Sequence, residues 1–128
     1  MSKSRIIGST FAWILAVLLA VVFIYAGGAK LASNPGMVRE FAQIGLGQWL
    51  RYCTGILEVS GAVGVLVPTF RFWAALLIAA VMIGATVTNL FILRIPVLAK
   101  LTAGLLGLAL ALAWLRRPRS RFSKGYEA

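Results

Sequence analysis

The sequence contains no histidine, only three acidic residues and a single cysteine, and these shortages exclude several kinds of protein. Without histidine, the commonest protein ligand of metals and haem is missing. Cys53 alone cannot form an intrachain disulfide or the paired thiolates of an iron–sulfur site. The glycines lie inside apolar runs, so no dinucleotide-binding loop follows a strand. We therefore expect no metal site, no covalently bound cofactor and no self-sufficient redox enzyme.

Charge as a whole is scarce. Charged residues make up 12% of the 128 residues, 61% are hydrophobic, and the mean hydropathy is +0.94. This balance is typical of an integral membrane protein. Four apolar runs lie at about 8–29, 50–68, 72–93 and 96–115, and each is close to the roughly 20 residues that cross a bilayer. The sequence predicts an all-α fold, in which residues 1–115 form an integral membrane four-helix bundle.

The excess of positive charge indicates the orientation of these spans. The net charge of +10 does not predict nucleic-acid binding, because almost no chain remains outside the spans to form an aqueous face. With four spans both termini lie on one side, together with Lys3, Arg5, Arg71, Arg116, Arg117, Arg119, Arg121 and Lys124, and opposite Lys30, Arg39, Arg51, Arg94 and Lys100. The positive-inside rule therefore places both termini in the cytoplasm. The basic tail at 116–128 is expected to contact anionic lipid there.

A short amphipathic helix is predicted on the outer surface between the first two spans. Asn34 can cap it and Pro35 can occupy its first position. Apolar residues recur at helical spacing until Gly45 ends the pattern. The helix is either a tether that floats at the membrane interface or a lid over a cavity between the spans.

Glu58 lies inside the second apolar run, where nothing adjacent in sequence neutralises it. An ionised group at mid-membrane costs about 2.5 to 3.5 kcal/mol on insertion scales, so such groups usually face a bundle interior and carry function. Lys30 and Arg51 are the two cations within reach. Two interpretations stay open, an ion pair that fixes the register of the helices and a site that binds a ligand or a proton.

Other polar residues lie at a similar depth from the outer ends of their spans. Counting 1.5 Å per residue, Tyr25, Thr86 and Asn89 fall within about 12 Å of those ends, as Glu58 does. The candidates for ligand binding or ion pairing are thus Lys30, Glu58, Arg51, Tyr25, Thr86 and Asn89. No catalytic residue is assigned.

Small residues indicate where helices approach each other. Ala99, Ala103, Gly107 and Ala111 recur at steps of four on the last span. Such a pattern favours close helix packing in lipid, within the chain or between two copies of it. A homo-oligomer therefore remains an alternative to a monomer.

The chain resembles the DoxX-type family of small membrane proteins. The resemblance rests on Ala26-Gly27-Gly28-Ala29-Lys30-Leu31, on Gly55-Ile-Leu-Glu58-Val-Ser-Gly61-Ala62 and on Met82-Ile-Gly-Ala85. It covers about residues 10–115 and implies a four-helix membrane domain in the bacterial plasma membrane. It also implies an association with quinone-linked or sulfur redox systems. Many family members have a histidine near the outer end of the third span, where this chain has Asn89.

Three hypotheses follow from the residues and the resemblance together. The first is an accessory subunit of a quinone-linked redox complex, whose outer pocket, lined by Lys30, Glu58, Tyr25 and Asn89, holds a quinone or a lipid head group. The second is a small proton-coupled carrier that uses Glu58 as its titrating group. The third is a membrane scaffold or assembly factor without a ligand.

Overall fold

A computed structural model describes residues 3–118, with side-chain surroundings from residue 6 onward. Within this part the chain is all-α, as predicted. Its helices are α1 (Lys3–Leu31), α2 (Pro35–Ile44), α3 (Trp49–Leu66), α4 (Arg71–Val87), which continues into one π-helical turn (Thr88–Ile92), and α5 (Pro96–Leu115). The predicted contact of the basic tail with lipid falls mostly on residues 119–128, outside the described part.

The four long helices pack side by side, with neighbours antiparallel. α1 packs mainly on α3 and α4 mainly on α5, while α3 against α4 joins the two pairs and α1 touches α5 over a smaller area. We call the end that carries α2 and the α4–α5 connection the loop end. We call the opposite end, which carries the start of α1, the α3–α4 turn and the end of α5, the terminal end.

Three of the long helices are long and apolar enough to cross a membrane: Ile6–Leu31, Arg71–Ile92 and Pro96–Leu115. The span predicted at 50–68 falls on α3, which is not among them. This helix has 18 residues and contains both Arg51 and Glu58, and these two charges lower its hydropathy.

The apolar core fills the terminal half of the bundle and consists largely of alanine. Ala12, Ala16, Ala62, Ala75 and Ala109 are all fully buried, and every long helix contributes to this core. In the loop-end half the buried residues include Arg51, Glu58 and Asn89. The helices are therefore joined by alanine packing at one end and by polar contacts at the other.

Glycine permits a close helix crossing between α1 and α3. A methyl group on Gly27 would lie 2.7 Å from Cγ2 of Val59 and 2.8 Å from the carbonyl oxygen of Gly55. A methyl group on Gly55 would lie 3.1 Å from Cβ of Lys30. Only glycine allows the two backbones to approach this far, and the crossing places Lys30 directly beside α3.

The small-residue stripe on α5 does not make a comparable contact within the chain. Ala99 is buried, but Ala103, Gly107 and Ala111 are exposed, and a methyl group on Gly107 would meet nothing within 4 Å. Steps of four residues advance by about 40° beyond a full turn. Successive residues of the stripe therefore turn away from the packed side of α5 toward its C-terminal end.

The short helix α2 begins and ends where the sequence predicted. The Asn34 side chain accepts a hydrogen bond from the Gly36 amide, Pro35 occupies the first turn, and Gly45 ends the helix in the left-handed region with φ of 81°. Its one buried residue is Phe41. Gln48, just before α3, donates to the carbonyl of Val38 and ties α2 to the loop end of the bundle.

Candidate functional site

Lys30 and Glu58 form a buried ion pair between α1 and α3. The Lys30 ammonium lies 3.0 Å from Oε1 and 3.1 Å from Oε2 of Glu58, so it contacts both carboxylate oxygens. The side chains are 12% and 3% exposed respectively. Each charge thus neutralises the other inside an apolar span, which compensates for much of the loss of hydration.

Arg51 does not pair with Glu58. Its guanidinium donates to the backbone carbonyl of Lys30 and, at 3.1 Å, to the Ser33 hydroxyl. Its Nε donates to Gln48 Oε1 at 2.7 Å, and the guanidinium stacks on the Tyr52 ring with 4.2 Å to the centroid. Arg51 therefore caps the C-terminal end of α1, where the last helical carbonyls have no partner within the helix.

Thr86 connects α4 to α5 at the same end of the bundle. Its hydroxyl lies 2.9 Å from the hydroxyl of Thr102 and 2.7 Å from the carbonyl of Met82. Thr102 in turn donates toward the carbonyls of Leu98 and Ala99. The two hydroxyls form a bridge between helices, and both are satisfied without a ligand.

Asn89 lies in the π-helical turn that ends α4 and is 5% exposed. Its backbone carbonyl accepts from the Ile95 amide at 2.8 Å. Its side-chain amide makes no hydrogen bond to any residue that the structure describes. Because no fully enclosed side-chain nitrogen or oxygen in that part of the chain lacks a partner, the amide borders accessible space. Asn89 therefore offers one donor group and one acceptor that are not in use.

Tyr25 lies apart from these residues. It is 79% exposed, although its depth along α1 is similar to that of Glu58. It faces away from the bundle, where an aromatic ring with a hydroxyl suits the membrane interface. Of the six residues predicted for the site, the structure thus joins Lys30 to Glu58, ties Arg51 to the Lys30 backbone, and leaves Thr86, Asn89 and Tyr25 in separate surroundings.

Arg71 is a buried charged residue that sequence reasoning missed. It is 1% exposed, donates from Nε to the carbonyl of Val65 at 2.6 Å, and stacks on the Trp13 ring at 4.1 Å from the centroid. It caps α3 at the terminal end as Arg51 caps α1 at the loop end. The sequence did contain an indication of this cap, because α3 ends without a glycine and an arginine follows a few residues later.

A comparison with known proteins identifies the family of this chain. A family model described as the DoxX-like family matches residues 14–114, which include both members of the ion pair. The chain belongs to the DoxX-like family. No curated protein and no solved structure matches it.

Membership of the DoxX-like family and the apolar helices together identify a membrane protein. Within residues 3–118 no three acidic, cysteine or histidine side chains come together as a metal site would require. The polar chemistry of this DoxX-like chain is thus concentrated in the ion pair, the two arginine caps and the Asn89 amide.

Proposed function

We propose that this protein is an accessory subunit of a quinone-linked redox system and binds a quinone or a lipid head group in the loop-end half of a four-span bundle. In this arrangement α3 crosses the bilayer beside α1, both termini lie in the cytoplasm, and the loop end faces outward from the bacterial plasma membrane. The family resemblance supports the choice of ligand and of a redox partner protein, and the geometry supports the choice of site.

The contacts of α3 support its placement as a fourth span. Its two charges are Arg51 and Glu58, and both are 3% exposed in the structure. Glu58 is neutralised by Lys30, and Arg51 is bound by the Lys30 carbonyl at the end of α1 and by the Ser33 hydroxyl just after it. Charges that are paired inside a bundle are tolerated within a membrane, whereas lipid-facing ones are not. Its remaining residues are apolar or small.

The Asn89 amide is the observation that carries the proposal of a ligand. The amide borders space outside the protein, where a bilayer offers no water to bind it, and a bound carbonyl or hydroxyl group would satisfy it. A quinone presents carbonyl oxygens, and a lipid head group presents carbonyl and hydroxyl oxygens. Either ligand therefore fits the free amide. The Lys30–Glu58 pair supplies a second polar surface in the same half of the bundle.

An accessory role fits the composition better than a catalytic one. Electron transfer through a protein requires a carrier, and this sequence offers no histidine and only one cysteine to hold one. A bound quinone would therefore exchange electrons with a partner protein.

Native mass spectrometry of the detergent-purified full chain tests this proposal. Ubiquinone and phosphatidylethanolamine serve as probes, and the wild type is compared with Asn89→Leu and Glu58→Gln. We expect an adduct on the wild type that Asn89→Leu weakens about tenfold, the size of one lost hydrogen bond. Thr88→Val is the matched control, because Thr88 occupies the same turn but bonds only to the carbonyl of Gly84 in its own helix.

A scaffold without a ligand is the second candidate, and the saturated ion pair favours it. Both carboxylate oxygens of Glu58 already contact Lys30, so that pair alone does not require a further partner. Equal adducts on the wild type and on Asn89→Leu, or no adduct at all, would contradict the ligand site. Loss of a co-purifying protein from Glu58→Gln, with no change in adducts, would support the scaffold.

A further inference from the structure

A groove runs along the outside of the bundle between α3 and α4, in the terminal half. Its floor consists of the small residues Ser60, Gly64 and Ala74, and its walls include Val63, Phe70 and Trp73. The groove is open to the surroundings of the bundle, since Val63 is 52%, Phe70 60% and Trp73 63% exposed. None of the loop-end candidates lines it.

The floor exists because glycine lets the two helices meet closely. A methyl group on Gly64 would lie 2.7 Å from Cβ of Ala74, so no larger side chain fills the space above this contact. Trp73 forms one wall and is held edge to face by Phe72, with 4.9 Å between ring centroids. The result is an open apolar groove with small residues at its floor.

The groove opens toward the terminal end of the bundle, which carries cations. Phe70 lies in the turn at that end, and Arg116 directly follows α5, which packs against α4. Arg117 follows, stacked on the exposed Trp114 at 4.5 Å from the ring centroid. The two acids that the structure describes, Glu40 on α2 and Glu58, both lie in the loop-end half. The terminal end therefore presents cations without a neighbouring acid in the described part of the chain.

We propose that this groove binds one acyl chain of an anionic phospholipid, whose phosphate group lies at the terminal end near Arg116 and Arg117. The apolar lining matches the chain and the excess of cations matches the head group. Aromatic rings at this end suit the boundary between the two. The inference rests on the proposed four-span arrangement, which places the groove against lipid, but not on the ligand at Asn89.

The test uses the full-length chain in a mild detergent, mixed with equal amounts of dioleoyl phosphatidylglycerol and dioleoyl phosphatidylcholine. These lipids have the same chains and differ in head-group charge. Native mass spectrometry measures the adducts of each. A cation near an anionic head group contributes about a fivefold preference, so the wild type should favour phosphatidylglycerol at least to that extent. Arg116→Gln with Arg117→Gln should remove the preference, whereas Arg94→Gln with Lys100→Gln, at the loop end, should preserve it.

Val63→Trp fills the groove and should weaken phosphatidylglycerol binding at least fivefold. Val17→Trp is the matched control, because Val17 on α1 is 49% exposed against 52% for Val63 and does not line the groove. Equal binding of the two lipids by the wild type would overturn the proposal, and that comparison needs no variant. Equal loss in Val63→Trp and Val17→Trp would also overturn it, because the groove would then be no different from the rest of the lipid-facing surface. Cysteine labelling on the two sides of α3 tests the four-span arrangement independently. A failure of that arrangement is therefore distinguishable from a failure of the lipid site.

Discussion

The guanidinium of Arg51 binds the backbone carbonyl of Lys30, and the ammonium group of Lys30 binds Glu58. One arginine thus holds the backbone of the residue whose side chain neutralises the buried acid. The Gly27–Gly55 crossing lies just below these contacts and sets the distance between the two helices. The ion pair, the cap and the crossing therefore form one connected unit between α1 and α3.

Removal of one member of the ion pair should destabilise the fold more than removal of both. Glu58→Gln or Lys30→Met leaves a buried charge without its partner, which costs about 3 to 5 kcal/mol in free energy of unfolding. The double variant Lys30→Met with Glu58→Leu should recover most of that loss, because it leaves no charge behind. Unfolding in detergent with increasing denaturant measures all three. Lys100→Met is the control, since Lys100 is exposed, and additive effects of the single changes would disprove the coupling.

Gly27 and its neighbour Gly28 should respond in opposite ways to the same substitution. Gly27→Ala drives a methyl group into Val59 and the Gly55 carbonyl, which should destabilise the protein by about 1 to 3 kcal/mol. A methyl group on Gly28 meets nothing within 4 Å, so Gly28→Ala should be neutral or stabilising by about 1 kcal/mol through helix propensity. Thermal unfolding of the two variants side by side provides the measurement. Similar losses in both would show that the crossing is not the closest point between α1 and α3.

Arg71 should not tolerate lysine. Lysine lacks the planar group that stacks on Trp13 while it donates to the Val65 carbonyl. We expect Arg71→Lys to lower the free energy of unfolding by about 2 kcal/mol, the size of a hydrogen bond from a charged donor. Arg94→Lys, at an exposed position, should have no effect. An unfolding midpoint for Arg71→Lys equal to that of the wild type would show that the cap contributes nothing.

Thr86 and Thr102 should show a small coupling energy. A double-mutant cycle with Thr86→Val and Thr102→Val isolates the hydrogen bond between the two hydroxyls. Such bonds between membrane helices average about 0.6 kcal/mol. A coupling near zero would indicate that each hydroxyl is satisfied by its own helix, through the carbonyls of Met82 and Leu98.

Cysteine labelling tests whether α3 crosses the membrane. In a Cys53→Ser background, single cysteines replace Arg39 on α2 and Thr69 in the α3–α4 turn, both of which are exposed. If α3 spans, a maleimide that cannot cross membranes labels Arg39→Cys on intact cells and labels Thr69→Cys only after permeabilisation. Labelling of both from the same side would contradict a fourth span. The reverse order would preserve four spans but place the termini outside.

The sequence predicted the family, the all-α class and the caps of α2, because those features depend on local patterns. The approach of Lys30 or Arg51 to Glu58 could be predicted only as a pair of alternatives. The choice between them depends on the close crossing at Gly27 and Gly55, and on the unpaired carbonyls of α1 that engage Arg51. Neither is visible without the packing of two helices.

The placement of Tyr25 could not be obtained from depth alone. Tyr25 and Lys30 lie five residues apart, which corresponds to about 140° around the helix axis, so they face different directions at nearly the same depth. The exposure of the small-residue stripe on α5 has the same cause, because residues four apart are offset by about 40° around the helix axis. The depth of a residue along the span and its angle around the helix axis are both needed to place its side chain. The angle can be interpreted only when the packed face of the helix is known.

The apolar core of the terminal half restricts how a ligand could enter and leave the bundle. Its buried side chains are apolar, alanine together with larger residues such as Leu19, Ile78 and Leu112, and Arg71 closes the same end by donating to the Val65 carbonyl in the last turn of α3. Toward the terminal end, a polar molecule that reached Asn89 would meet the apolar side chains of the core and the bound Arg71. A ligand bound near Asn89, as proposed, would therefore enter and leave the bundle at the loop end.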